Sequence, residues 1–196
     1  ATRKESSAAS DVYKRQGKGV FMDRLFKPTW LMESIYDLKP EELKERGLKG
    51  LIIDLDNTLL AWDELEASPR LISWVSIMNQ AGVKVYLLSN NKPDRVSRVA
   101  APLELSFAAS ALKPLKKQFI KALMDMNLAK DQVAVVGDQV MTDVLGANRV
   151  GLQSILVKPI VESDNIYTKF NRQIEKGVLK TLGISKQDNW GHGLND

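Results

Sequence analysis

Five short apolar segments lie along the chain, and longer stretches with helical periodicity separate them. Each segment is rich in valine, isoleucine or leucine, which is typical of strands that are buried on both faces. Strands that alternate with helices predict an α/β domain with three layers, in which helices cover both faces of a five-stranded parallel sheet. The predicted strands span residues 51–53, 83–88, 105–109, 133–136 and 154–157.

The stretches between these segments carry signals for helices. Ser68 and Pro69 are typical of a helix start, and Gly82 is typical of a helix end. Further helices are predicted over residues 114–126 and 141–149. Apolar positions of the first helix fall on one face: Leu71, Ile72, Val75 and Met78. Near the end of the chain, apolar residues recur every four positions and predict a last helix: Ile166, Phe170, Ile174, Val178 and Leu182.

The composition excludes several kinds of chemistry. The 196 residues include no cysteine and a single histidine, His192, close to the end of the sequence. We therefore expect no disulfide framework, thiolate nucleophile, Cys/His zinc site or Ser-His-Asp triad. The net charge is +4, but the first 20 residues hold five basic and two acidic groups, so the rest is nearly neutral. No nucleic-acid partner is expected from that balance.

The two ends of the sequence are expected to lie outside the domain, which we place at residues 20–185. Residues 1–19 are expected to be a disordered tail or a cloning or assembly artefact, with Met22 as the natural start; a transit peptide is the alternative. Residues 186–196 are expected to form a flexible C-terminal tail. No apolar run reaches the roughly 18 residues that a transmembrane helix needs, so none is predicted.

Polar side chains follow four of the predicted strands. The carboxyl ends of parallel strands meet at one edge of a sheet, so these side chains are expected to converge there. Each of them alone has an ordinary alternative: an aspartate can be a helix cap, a Ser-Asn pair a turn, and a lysine a solvated surface group. The candidate residues are Asp54, Asp56, Thr58, Ser89, Asn90, Lys113, Asp138 and Asp143.

Together these residue types suit phosphoryl chemistry. Asp54 and Asp56 are two positions apart, so one can act as a nucleophile and the other as a general acid. Asp138 adds a hard oxygen ligand of the kind that Mg²⁺ prefers. A hydroxyl group, backbone N–H groups and Lys113 can bind the oxygens of a phosphoryl group.

Four segments resemble the four motifs of haloacid dehalogenase superfamily phosphatases. They are DLDNT at 54–58, SNN at 89–91, Lys113-Pro114, and GDQVMTD at 137–143. The chain from Phe26 to Leu179 resembles the YqeG-like subclass IIIA branch more closely, through SIYDLKPEELKERGLKGLIIDLDNTL, GDQVMTDVLGANRVG and TKFNRQIE. That branch is similar to phosphatidylglycerophosphate phosphatases. The resemblance implies a Rossmann-like fold.

The resemblance also implies catalytic and metal-binding roles. Asp54 would be the nucleophile and would form an aspartyl-phosphate. Asp56 would protonate the leaving alcohol and later activate water. Mg²⁺ would be held by the Asp54 carboxylate, the Asp56 backbone carbonyl and Asp138. Asp143 would orient the site or reach the metal through water.

The remaining matched positions are implied to bind the phosphoryl group. Ser89 and Lys113 would hold its oxygens, with Asn90 and Thr58 in support. Metal and lysine together would neutralise the charge that develops on the transferred group.

The spacing of the motifs leaves no room for a cap domain. Thr58 and Ser89 are 31 positions apart, and Ser89 and Lys113 are 24 apart; a helix and a strand use most of each interval. An open site is therefore expected. It admits a lipid headgroup at a bilayer surface, and equally a nucleic-acid end, a phosphoprotein, or a small sugar phosphate covered by a neighbouring subunit. The resemblance favours phosphatidylglycerophosphate; a soluble phosphorylated metabolite is the alternative substrate.

A different class of function is a non-catalytic phosphoacceptor or scaffold module, which would need no second aspartate such as Asp56. We expect a cytoplasmic protein with peripheral contact to the inner face of the membrane. The apolar residues of segment 20–31, interleaved with Arg24 and Lys27, could make that contact. The alternative is that they pack against the domain.

Overall fold

A parallel sheet of six strands forms the centre of the fold. A computed structural model describes residues 23–161 and 166–195. The strands are β1 (Trp30–Met32), β2 (Gly50–Ile53), β3 (Lys84–Leu88), β4 (Ser106–Ala108), β5 (Val133–Gly137) and β6 (Gln153–Val157). Their order across the sheet is β1-β6-β5-β2-β3-β4, and every neighbouring pair is parallel. The strand that carries the first motif, β2, therefore lies between β5 and β3.

Helices connect the strands and cover the sheet. They are α1 (Pro40–Glu45), α2 (Pro69–Gln80), α3 (Pro93–Ala100), α4 (Lys116–Met126), α5 (Leu145–Val150) and α6 (Ile166–Thr181). A π-helical turn at Val140–Val144 precedes α5. The predicted start of α2 is confirmed, because the Ser68 hydroxyl oxygen accepts a hydrogen bond from the N–H of Leu71 at 3.2 Å.

The side chains of each strand alternate between the two faces of the sheet. On one face, Leu51 and Ile53 share a core with Trp74 of α2 and with apolar residues of α1 and α3. On the other face, Ile52 shares a core with Phe119 of α4 and with residues of α5. The predicted three-layer architecture is therefore confirmed.

Two details of the sequence-based prediction are wrong. The sheet has six strands rather than five, because Trp30–Met32 pairs with β6, with Trp30 opposite Ile155. Pairing with β6, rather than a pattern within Trp30–Met32, makes this segment a strand. In α2, Ile72 is 49% exposed, and Trp74 occupies the core instead.

The segments that flank β1 and follow α6 pack together. Phe26 and Leu31 contact an apolar cluster that includes Leu156, so this part of segment 20–31 packs against the domain. Residues 1–22 lie outside the described part of the chain. The stretch after α6, predicted as a flexible tail, lies along β1: Trp190 is buried, and the N–H of Glu33 donates to the carbonyl of Gly191 at 2.9 Å.

The last predicted helix corresponds to α6. Val178 and Leu179 are buried against Leu156, whereas Ile174 is 40% exposed. The side chains of Ile166 and Phe170 lie outside the described residues. Across residues 23–161 and 166–195, no helix has the length and apolarity to cross a membrane.

Candidate active site

The loop after β2 places two aspartates at the carboxyl edge of the sheet. The N–H of Asp54 donates to the carbonyl of Val136 at 2.9 Å, so the ladder between β2 and β5 extends one residue beyond β2. At Asn57 the backbone turns with a φ of 63°, and its N–H donates to the carbonyl of Leu60 at 2.7 Å. Asp54 and Asp56 both line a cavity at this edge of the sheet.

Lys113 connects two buried carboxylates. Its Nζ lies 2.6 Å from Oδ1 of Asp54 and 2.7 Å from Oδ1 of Asp143. The side chain of Asn90 positions the lysine: its Oδ1 accepts from the N–H of Lys113 at 2.7 Å, and its Nδ2 donates to the carbonyl of Lys113 at 3.4 Å. The SNN segment and the lysine, which are 23 positions apart, thus form one unit.

Three buried carboxylates form a cluster that could hold a cation. One oxygen from each of Asp54, Asp138 and Asp143 lies within 4.8 Å of the others. Thr58 donates from Oγ1 to Oδ1 of Asp138 at 3.4 Å. Lys113 compensates one of the three charges, and a divalent cation fits the charge that remains. Carboxylate oxygens are hard donors of the type that Mg²⁺ prefers.

Gly137 makes room for this cluster. A Cβ atom at residue 137 would lie 2.3 Å from the carboxyl carbon of Asp143. The carboxylate of Asp143 therefore packs directly against the backbone at the end of β5, from where it reaches Lys113.

Burial and mutual repulsion shift the titration of the cluster. Burial raises the pKa of Asp54 to about 7; Lys113 opposes this shift and Asp143 adds to it. Burial also raises the pKa of Asp138 well above its usual range, with further contributions from Asp54 and Asp143. For Lys113, burial alone would lower the pKa, but the two carboxylates raise it above its usual value. The cluster therefore favours a cation or a bound proton.

The cavity in front of the cluster has a volume of about 630 Å³. Ser89 is buried, and its Oγ accepts from the N–H of Asn91 at 3.0 Å. All of the lining residues have polar or charged side chains: Asp54, Asp56, Ser89, Asn90, Asn91, Lys113, Gln139 and Thr142. Hydroxyl, amide and ammonium groups beside carboxylates suit a ligand with several anionic oxygens.

The carboxylate of Asp56 has partners of its own, apart from the three-carboxylate cluster. Its Oδ1 lies 2.9 Å from Nη2 and 3.2 Å from Nε of Arg95, and its Oδ2 accepts from Nδ2 of Asn91 at 3.1 Å. The eight predicted positions therefore gather at one edge of the sheet in two groups. One group surrounds Lys113, and the other surrounds Arg95.

Besides Asn91, Gln139 and Thr142, which line the cavity, two further residues of this edge were not among the predicted positions. Arg95 is in the first turn of α3, and Pro93 at the start of that helix was the signal that could have revealed it. Glu175 of α6 is buried and accepts from the N–H of Val140 at 2.6 Å, at the turn between Asp138 and Asp143. An acidic residue among the apolar positions of the last helix was its only signal.

Comparison with known proteins gives the class of protein to which this chain belongs. A family model described as a haloacid dehalogenase-like hydrolase matches residues 5–151, so the chain belongs to that family. It is 44% identical over 169 residues to the probable phosphatase YqeG of Bacillus subtilis strain 168. The aligned region covers 86% of this chain and 98% of that protein. The prediction of a phosphatase of this family is thereby confirmed.

Two further comparisons are more distant. The chain is 28% identical over 184 residues to the chloroplastic phosphatidylglycerophosphate phosphatase 1 of Chlamydomonas reinhardtii, covering 83% of this chain and 68% of that one. Among solved structures, the cobalt-bound deoxy-D-mannose-octulosonate 8-phosphate phosphatase of Haemophilus influenzae is similar with a TM-score of 0.49 and 17% identity. That similarity covers 71% of this chain and 92% of the other.

Proposed function

We propose that the protein is a Mg²⁺-dependent phosphomonoester hydrolase that forms an aspartyl-phosphate intermediate on Asp54. The observation that carries this proposal is the position of the Asp54 carboxylate, 2.6 Å from the Lys113 ammonium group and close to Asp138 and Asp143. A nucleophilic carboxylate beside a cation and facing a polar cavity is the arrangement that phosphoryl transfer needs.

In the first step, an Asp54 oxygen attacks phosphorus and the bond from phosphorus to the leaving oxygen breaks. Asp56 gives its proton to that oxygen, so the product leaves as a neutral alcohol. In the second step, Asp56 takes a proton from water as the water oxygen attacks phosphorus. The bond to Asp54 then breaks, which releases inorganic phosphate and restores Asp54.

The other polar residues hold the phosphoryl oxygens. Ser89 and Lys113 lie on the cavity wall beside Asp54, and Asn90 fixes the backbone of Lys113. Thr58 acts indirectly, because its hydroxyl group is bonded to Asp138. Positive charge from Lys113 stabilises the oxygens during transfer without rearrangement.

Asp54 and Asp138 would hold Mg²⁺, with the backbone carbonyl of Asp56 as a further ligand. Asp143 would orient the site or contribute through water. When bound, Mg²⁺ supplies positive charge that lowers the barrier to transfer of an anionic group.

We propose phosphatidylglycerophosphate as the substrate. The relative from Chlamydomonas reinhardtii carries that activity in its name. The loops around the cavity also expose large apolar side chains, which suits a substrate held in a lipid surface. They are Trp62, Leu65, Leu112 and Leu115, between 49% and 67% exposed.

A soluble phosphorylated metabolite is the second candidate, and one observation favours it. The loop that carries Trp62 and Leu65 also exposes Asp63, Glu64 and Glu66, whose charges would be repelled by an anionic membrane. The described residues that line the cavity all have polar or charged side chains, which suits a polar substrate as well.

Phosphate release distinguishes these alternatives. Purified protein with Mg²⁺ is given micellar phosphatidylglycerophosphate or a panel of soluble phosphomonoesters, with Asp54→Asn and EDTA as controls. Preference for the lipid, lost in both controls, supports the full proposal. Preference for a soluble ester keeps the reaction and rejects the lipid. No release from any ester by folded protein would indicate a scaffold.

A further inference from the structure

Both oxygens of the Asp56 carboxylate are held by residues that follow β3. Arg95 donates to Oδ1 from two nitrogens, and Asn91 donates to Oδ2. Two cationic N–H groups on one oxygen and an amide on the other leave the carboxylate little freedom to rotate. The same carboxylate lines the cavity that contains Asp54.

The Arg95 side chain is fixed as firmly as the carboxylate that it binds. Its side chain is 11% exposed, and it also donates to the backbone carbonyls of Ala61, at 3.2 Å, and Glu64. An exposed surface ion pair would lack these additional bonds. Arg95 thus joins α3 to the loop that follows the DLDNT segment.

Asn91 is fixed in a similar way. Its N–H donates to the Ser89 hydroxyl oxygen, its carbonyl accepts from the N–H of Ser110, and its Oδ1 accepts from the N–H of Lys92. The group that contacts Asp56 is therefore tied to the serine proposed to bind the phosphoryl group.

We propose that Arg95 and Asn91 are positioning residues that hold the Asp56 carboxyl group where it gives its proton to the leaving oxygen. This inference rests on the proposed function, in which Asp56 is the acid and base. Neither residue exchanges a proton itself. Arg95 fixes the side chain through Oδ1, so the proton of the Asp56 carboxyl group is carried on Oδ2 and passes to the leaving oxygen as the phosphorus–oxygen bond breaks.

Substrates whose leaving groups differ in basicity can reveal whether Arg95 positions Asp56. A strongly basic alkoxide needs its proton during bond cleavage, whereas p-nitrophenolate leaves without one. The value of kcat/KM reports only the steps up to departure of the leaving group, so slower hydrolysis of the aspartyl-phosphate does not affect it. Misplaced Asp56 should therefore lower kcat/KM for alkyl esters selectively.

The experiment compares Arg95→Met with the unchanged protein on p-nitrophenyl phosphate, phenyl phosphate and glycerol 3-phosphate. We expect kcat/KM for glycerol 3-phosphate to fall about 100-fold, the scale of a misplaced catalytic group. For p-nitrophenyl phosphate we expect a loss of less than about threefold, because that reaction needs little acid catalysis. Phenyl phosphate should lie between them.

Arg98→Met is the matched control, since Arg98 lies on the same helix and is exposed; it should leave all three values unchanged. If Arg95→Met does not fold, Arg95→Lys replaces it, because one ammonium group cannot make the two nitrogen contacts to Oδ1 and reach both carbonyls. Thermal unfolding with Mg²⁺ verifies the fold of each variant.

Equal losses for all three esters would overturn the inference, and so would unchanged values. A rise in KM that is the same for every ester would instead make Arg95 a contact for the substrate. The proposed function fails in a distinguishable way: the unchanged protein then hydrolyses none of the esters, or Asp54→Asn retains full activity.

Discussion

At the scale of single residues, the ammonium group of Lys113 lies between the carboxylates of Asp54 and Asp143, and all three side chains are buried. A surface lysine would lose little on replacement. Replacing Lys113, in contrast, leaves two buried carboxylates without their cation. An unpaired buried charge is costly in the low-dielectric interior of a protein.

We therefore expect Lys113→Met to lower the free energy of unfolding by about 3–5 kcal/mol in metal-free protein near neutral pH. Phosphatase activity should be lost as well. Urea titration followed by circular dichroism measures the first effect. Lys121→Met is the control, because Lys121 pairs with Asp125 on an exposed helix surface and should have little effect. Equal stability of the two variants would contradict the buried ion pair.

The raised pKa of Asp54, about 7, and that of Asp138 make cation binding depend on pH. Below that pH, the metal-free site holds protons that Mg²⁺ must displace. We expect the affinity for Mg²⁺ to rise with pH through about 7. Calorimetric titration in two buffers of different ionisation heat measures the released protons. An affinity that is constant from slightly acidic to slightly basic pH would contradict this.

The raised pKa of Asp54 also determines how the stability of the folded protein changes with pH. The pKa of Asp54 is about 7 in the folded protein, above its ordinary value of 3.8. The folded state therefore binds this proton more tightly than the unfolded state does. Its contribution to the stability of the metal-free protein is lost as pH rises from about 4 towards 7. Added Mg²⁺ should offset that loss, which thermal unfolding against pH measures.

At the scale of elements, a buried hydrogen bond connects α6 to the site. Glu175 accepts from the N–H of Val140, where the π-helical turn between Asp138 and Asp143 begins. Lys186 lies 3.7 Å from the other carboxylate oxygen of Glu175. The last helix therefore holds in place the turn that carries part of the carboxylate cluster.

We expect Glu175→Ala to lower the free energy of unfolding by about 1–3 kcal/mol, because a buried N–H loses its acceptor. The affinity for Mg²⁺ should fall too, since the turn loosens. Glu175→Gln is the matched control: its side-chain oxygen can still accept from Val140. Denaturant titration and calorimetry give the two quantities, and identical behaviour of the Ala and Gln variants would contradict the role of this bond.

Sequence patterns predicted the elements whose signals are local. The helix start at Ser68 and Pro69 contains its own capping group, and the apolar run before Asp54 contains its own burial signal. The strand Trp30–Met32 is apolar as well, but only its pairing with β6 makes it a strand. Elements stabilised by local interactions could therefore be predicted, whereas a strand that depends on long-range pairing could not.

The residues of the candidate site also separate into those with a local sequence signal and those placed by long-range packing. Aspartates at strand ends could be predicted because parallel strands bring their carboxyl ends together. The contact between Arg95 and Asp56 could not, because it depends on how α3 packs beside the loop after β2. Glu175 is a similar case, 35 positions from its partner Val140.

At the scale of the whole molecule, the cavity opens at one edge of the sheet between loops with exposed apolar side chains. Leu112 and Leu115 flank Lys113 and Pro114, and the N–H of Ile160 on the loop after β6 donates to the carbonyl of Asn57. The loop after β6 and the DLDNT loop are therefore joined by a backbone bond.

On the proposal of a lipid substrate, we expect the double variant Leu112→Ser, Leu115→Ser to bind phospholipid vesicles about tenfold more weakly, because two large exposed apolar side chains are removed. The value of kcat/KM for p-nitrophenyl phosphate should stay unchanged. Vesicle sedimentation and steady-state kinetics measure the two effects. Ile120→Ser with Met124→Ser is the control, since both side chains are exposed on α4. Equal losses of vesicle binding in the two double variants would contradict a specific lipid-facing rim.

The position of β1 also has a consequence during protein synthesis. Its partner in the sheet is β6, whose matching residue Ile155 follows Trp30 by 125 positions. At about 5–20 residues per second, a ribosome needs about 6–25 seconds to make that interval. Residues up to Asp143, which include the whole carboxylate cluster, emerge earlier. All three carboxylates of the cluster are therefore synthesised while β1, an apolar edge strand, still lacks its neighbour in the sheet.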